Sequence, residues 1–175
     1  MRKHAQACVT ISSKAQMTVF GDIYQRQDIE ACGLLTGCID DEGNWHIGQA
    51  HPLPNIFNSP VYFEFSPEDM LAVELDYPGK IVGVYHSHPT GLAAASSTDR
   101  LNMKRVNEEQ DIPWVWLIVS GPFNETISDT AQTQPARKLI MASSVIAYHY
   151  YKGEGLRRIT VQLEETSGVL PNNTP

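Results

Sequence analysis

Two histidines, a serine and an aspartate fall close together in this chain: His86-Ser87-His88-Pro89, then Ser96 and Asp99. Residues two apart on a strand share a face. If a strand runs into this stretch, His86 and His88 project together and Ser87 points away. Two imidazole nitrogens and one carboxylate oxygen suit zinc, and three protein ligands leave a fourth tetrahedral position for water. That is the open set of a catalytic site rather than the closed set of a structural one. Each part also has a plainer reading. An H-x-H pair alone is a weak signal. Ser96-x-x-Asp99 alone reads as a helix cap, with the acid at the favourable end of the helix dipole. A cap and a ligand are compatible roles, and the combined spacing is far more specific than its parts.

Rigid elements must position these groups. Lys80-Ile81-Val82-Gly83-Val84-Tyr85 is apolar and β-branched, and reads as a buried strand entering the motif. Pro89, Thr90 and Gly91 break it. Ser96 then opens a helix to about Gln110, with Leu101, Met103 and Val106 on one face and Lys104, Arg105, Glu108 and Glu109 on a solvated one. Upstream, the spacing predicts a helix over Ser13–Gln25 capped by Ser12 or Ser13. A strand over Cys32–Ile39, a turn at 40–44 and a returning strand over Trp45–Ala50 follow. Residues 51–60 read as loop and Val61–Phe65 as a short strand. Ser66 caps a helix with Pro67 in its first turn, running to about Asp76.

Downstream, Trp114–Ser120 reads as a strand buried on both faces. The polar loop 121–137 is either a lid or an ordinary insertion. A strand follows in the second half of 138–151, then a turn at 153–155, a strand over 156–164 and a frayed tail, 166–175. Strands and helices mix without regular βαβ alternation. The expected class is α+β, with a central mixed, largely antiparallel sheet flanked by helices, in one domain over 1–165.

Composition narrows the function. The chain has 175 residues, 42% of them apolar, which suits a single globular domain. No apolar run reaches the ~20 residues that span a bilayer, and the basic start at Met1 lacks the apolar stretch of a signal peptide. The expected location is the cytoplasm. A formal net charge of −7 disfavours nucleic acid, whose binding rests on phosphate neutralisation. Cys8, Cys32 and Cys38 are odd in number and form no C-x-x-C pair, which argues against a disulfide framework and a cysteine zinc site. Cys32 reads as a small buried residue. Among the other histidines, His4, His46, His51 and His149, the best further ligand candidate is His51, although a surface or core role suits it better.

The residues H-S-H-P-x6-S-x-x-D resemble the JAMM motif of the JAB1/MPN/Mov34 metalloprotease family. Glu30-Ala31-Cys32-Gly33-Leu34-Leu35-Thr36-Gly37 is similar to the E-x-C-G-L-L-x-G segment of bacterial and archaeal stand-alone members. The resemblance implies a three-layer α/β/α-like JAMM/MPN fold, with Zn2+ held by His86, His88 and Asp99. It implies that Glu30 activates the metal-bound water as general base and that Ser96 donates to the tetrahedral oxyanion. Read without the resemblance, Glu30 is a carboxylate beside a turn, either solvated or half-buried. The implied activity is cleavage of a peptide or isopeptide bond after the extended C-terminal Gly-Gly tail of a ubiquitin-like or sulfur-carrier protein. The rival reading is a non-catalytic MPN-type scaffold or interaction module, which usually lacks the metal ligands. Cupins also use H-x-H but want a later glutamate and histidine on strands, and zinc deaminases want a P-C-x-x-C that is absent here.

Overall fold

The computed structural model of the chain describes residues 7–123 and 144–165. Among these described residues, seven strands and three α-helices occur in the order β1 (Cys8–Ile11), α1 (Ser13–Gln25), β2 (Cys32–Ile39), β3 (Trp45–Leu53), α2 (Pro67–Asp76), β4 (Ile81–His88), α3 (Ser97–Lys104), β5 (Val115–Ser120), β6 (Val145–Tyr151) and β7 (Gly155–Leu163). The expected lid loop lies mostly, and the expected tail wholly, outside the described residues. Among the described residues, no helix is long and apolar enough to cross a membrane.

Local signals set most of the elements. Ser12 caps α1 by accepting from the Ala15 amide, and Ser66 caps α2 by accepting from the Asp69 amide, with Pro67 in the first turn. Strand faces alternate. On β5, Val115, Leu117 and Val119 join Ala15, Val19 and Ile23 of α1 in one apolar cluster. Trp116 and Ile118 join Val73 of α2 and Met103 of α3 in a second.

The mixed α/β character holds, but the flanked three-layer sheet is corrected. The strands close into a barrel in the order β1-β3-β2-β4-β5-β6-β7. Closure rests on β1, only four residues long, which pairs in parallel with β3 on one side and β7 on the other. Strand twist accumulates across a sheet, so the two ends of a seven-stranded sheet can approach closely enough for one short strand to bridge them. Four of the seven pairings are antiparallel, and β4 pairs with β5 in parallel.

Three boundaries also differ from expectation. β3 continues through Pro52 to Leu53. Its pairing with β1 ends at Ile47, so Pro52 lies where the strand has only β2 beside it, and a proline is tolerated there. Residues 61–65 form no strand, because side-chain bonds from Asn55 satisfy their backbone instead. α3 ends at Lys104 and passes into a π-helical turn, Arg105–Glu109, which places Val106 and Asn107 inward. The Asn107 amide donates to Ile112 and Trp114 carbonyls, and its oxygen accepts from Trp116 Nε1 and the Tyr150 amide.

A half-buried polar knot braces the region before the site. Arg26, at the end of α1, donates to both oxygens of Asp22 and to the carbonyls of Leu53 and Cys32. Tyr85 Oη donates to Asp22 at 2.6 Å, and burial pushes its phenol well above the usual tyrosine range. One helix end thus holds the start of β2 and the end of β3. Between β2 and β3 the backbones come so close at Gly33 that a Cβ there would run into the His51 carbonyl oxygen.

Candidate metal centre

β4 delivers His86 and His88 on one face, as its two-residue period requires, with exposures of 0% and 3%. Ser87 points to the other face. Its Oγ accepts from the Ala31 amide at 2.9 Å, and its own amide donates to the Ala31 carbonyl at 2.9 Å. Across a loop, α3 presents Asp99 as the third residue of a capping box. The Asp99 amide donates to Ser96 Oγ at 3.1 Å, and the Ser96 amide donates back to Asp99 Oδ2 at 2.7 Å. The carboxylate that closes the cap therefore also faces the two imidazoles.

Two imidazole nitrogens and the two oxygens of Asp99 converge. His86 Nε2 lies 3.1 Å from His88 Nε2 and 3.2 Å from Asp99 Oδ1, and His88 Nε2 lies 3.2 Å from Asp99 Oδ2. A tetrahedron with the ~2.0–2.1 Å bonds zinc makes to nitrogen and oxygen has edges of about 3.3 Å. The spacing between the two imidazole nitrogens matches that edge, and each imidazole has its own Asp99 oxygen at a similar distance, so the donor set fits a small cation. His88 Nδ1 donates to the Leu92 carbonyl at 2.8 Å, which leaves Nε2 as the atom facing the cluster. His86 Nδ1 is buried without a hydrogen-bond partner among the described residues, and its ring is oriented by stacking on Phe63 at 4.5 Å.

The charges suit cation binding. Burial alone would raise the Asp99 carboxyl, but hydrogen bonds from His86 and His88 outweigh it and hold the group well below the usual carboxylate range. Burial pushes His86 towards the neutral form. For His88 burial acts in the same direction, but the Asp99 and Leu92 oxygens outweigh it and raise its pKa.

Glu30 stands at the edge of this cluster, 5% exposed, with Oε1 3.8 Å from His88 Nε2. Burial pushes its pKa from 4.5 to about 7, a rise tempered by His88 and reinforced by Asp99. Of its two sequence readings, the buried one holds. The structure thus brings Glu30, His86, His88 and Asp99 together, with half-buried Ser96 capping the helix beside them. The remaining described histidines lie elsewhere. His51 Nε2 pairs with Thr36 Oγ1 at 2.9 Å, His46 with Asp40 and His149 Nδ1 with the Trp114 carbonyl. His4 lies outside the described residues. Cys32 is buried, and burial pushes its thiol up to about 12, which leaves it protonated and a poor nucleophile. Asn55 and Phe63 touch the site and escaped the sequence reading. An asparagine after Pro-Leu-Pro looks like a turn residue, and Phe63 like ordinary core.

A closed mixed barrel that sets an H-x-H strand end against a capped helix is a JAB-type arrangement. Residues 21–134 match the prokaryotic homologs of the JAB domain, well over half of the chain, and the chain belongs to that family. A desampylase of Haloferax volcanii is 34% identical over 100 residues, covering 55% of this chain and 67% of that protein. The tail tip assembly protein K of Escherichia phage lambda is 42% identical over 60 residues. That match takes in 34% of this chain and only 27% of the phage protein. A protein of Desulfitobacterium hafniense solved in solution shares the fold, with a TM-score of 0.63 at 22% identity over 90% of this chain and 94% of that one.

Proposed function

We propose that this protein is a zinc-dependent JAMM-type metallopeptidase that cleaves the peptide or isopeptide bond after the C-terminal tail of a ubiquitin-like or sulfur-carrier protein. The observation that carries the reading is the convergence of His86, His88 and Asp99 donor atoms within 4.8 Å of one another, with the Glu30 carboxylate beside them. That one relative is a desampylase supports a hydrolytic role. In this reading residues 1–165 form one catalytic domain, acting in the cytoplasm.

A zinc ion at the three donors would supply Lewis acidity, polarising the scissile carbonyl and easing loss of a proton from water. The chain's own residues do the rest. Glu30, with its pKa raised to about 7, is matched to take a proton from water near neutral pH and return it to the leaving amine. Ser96 uses a lone pair of Oγ for the cap and keeps its O–H to donate to the oxyanion. One such donor is worth roughly 2.7–4 kcal/mol in the transition state. Asp99, fixed at both ends of the capping box, holds its carboxylate oriented without reorganisation.

The deciding experiment measures metal in protein purified without chelator, beside the His88→Ala variant. Mass spectrometry of a sulfur carrier extended beyond Gly-Gly then follows cleavage. About one zinc per chain, lost in the variant, together with release of the extension, is the expected outcome. Absence of bound metal even after zinc is offered would sink the hydrolase reading and favour a scaffold.

A further inference from the structure

The catalytic base of the proposed reaction has no rigid element beneath it: Glu30 sits in the connection between α1 and β2. Its two backbone groups are held from one loop, residues 55–65. The Glu30 amide donates to the Ser59 carbonyl at 2.8 Å, and the Glu30 carbonyl accepts from Asn55 Nδ2 at 3.0 Å. Asn55 is 3% exposed and uses its full hydrogen-bonding capacity. Nδ2 also donates to the Tyr62 carbonyl at 2.9 Å, and Oδ1 accepts from the amides of Phe57 and Glu64 at 3.1 and 3.4 Å. Two carbonyls on one side and two amides on the other leave no doubt which way the amide faces. The same loop supplies Phe63, whose ring stacks on His86.

We infer that Asn55 is a positioning residue for catalysis, which ties residues 55–65 into one unit and through it fixes the backbone of the general base Glu30 against the metal centre. The inference rests on the hydrolase reading above. Its logic is division of labour. Ser87 clamps Ala31 from the β4 side, and Asn55 with Ser59 clamps Glu30 from the loop side. Without Asn55, Ala31 keeps both of its bonds to Ser87, while Glu30 loses a bond to its carbonyl and the loop loses the side chain that closes it. The metal donors on β4 and α3 keep their own hydrogen bonds, and the loop reaches them only through the Phe63 ring stacked on His86. A misplacement of about 1 Å at a reacting group can cost ~10²-fold in rate.

The test uses Asn55→Ala in the full chain, read in two ways. Amide hydrogen exchange on the metal-free protein needs no activity. The Glu30 amide should exchange at least about tenfold faster, while the Ala31 amide keeps its protection. On the zinc-loaded protein, well below its melting temperature, kcat should fall about 10- to 100-fold with KM and metal content unchanged. A merely structural role would lower the melting temperature without splitting kcat from KM. Should Asn55→Ala fail to fold, Pro60→Gly loosens the loop from an exposed position next to Ser59 and should show the same pattern at smaller size. An unchanged Glu30 amide, a kcat within twofold of wild type, or loss of metal along with rate would each overturn the inference. Wild-type protein that binds metal but cleaves no carrier would instead overturn the proposed function, and the exchange result would still decide whether Asn55 fixes Glu30.

Discussion

Replacing Glu30 by Gln should stabilise the metal-free protein at the same time as it removes the proposed general base. Burial raises the Glu30 carboxyl from 4.5 to about 7, so keeping the group ionised in the fold costs free energy. At 1.36 kcal/mol for each pH unit between the two values, the cost saturates at about 3 kcal/mol above pH 7. The folded state binds the extra proton, so the sign is definite. Below about pH 4.5 both states are neutral and nothing is lost; the penalty grows as pH rises and is complete above pH 7. Glutamine is nearly isosteric and carries no charge. The Gln variant should exceed wild type by about 1 kcal/mol at pH 5 and about 3 kcal/mol at pH 8. Urea unfolding of both proteins in chelator, at each pH, measures it, and titrating groups remote from Glu30 cancel in the difference, leaving the coupling to His88 and Asp99 as part of the effect. Zinc should shrink the advantage, because a cation beside Glu30 offsets the cost of its charge. A gap that is equal at pH 5 and pH 8, or a Gln variant less stable than wild type at pH 8, would refute the burial argument.

Three further outcomes follow from the same geometry. Ser96→Ala removes a cap and, in the proposed mechanism, an oxyanion donor, so it should cost about 1 kcal/mol of stability and roughly 10²–10³ in kcat, measured by urea unfolding and steady-state kinetics. Asp99→Asn should abolish zinc retention in a metal-content assay while preserving circular dichroism, since asparagine can still accept from the Ser96 amide. In native protein Cys38, which is exposed, should be alkylated by iodoacetamide at pH 8, while Cys32 should react only after unfolding; mass spectrometry of the labelled peptides distinguishes them. Rapid labelling of Cys32 in the folded protein would contradict its burial.

Some of this protein was written locally and could be read without coordinates. The H-x-H pair shares a face because strand side chains alternate, and Ser96-x-x-Asp99 caps a helix because one turn brings those two residues together. Strand β2 and helices α1 and α2 fall where apolar periodicity and Ser caps put them. These interactions span four residues or fewer, and such patterns survive in a linear sequence. The candidate ligand set itself, with Asp99 eleven positions after His88, is local enough to carry a recognisable spacing.

The rest belongs to the tertiary structure. Glu30 reaches His88 across 58 positions only because β2 and β4 pair antiparallel with Cys32 opposite His86, a register that no local pattern encodes. The same holds for closure. β1 is too short to announce itself, and its parallel partners β3 and β7 lie far along the chain, so the barrel emerges only when twist brings the sheet's ends together. Asn55 looks like a turn residue in the sequence and becomes a buried, fully bonded support only because the loop folds over Glu30. Residue types and short spacings determined which groups could bind a metal. Long-range strand register decided that a buried carboxylate would stand beside them, because loop closure and burial are properties of the whole chain.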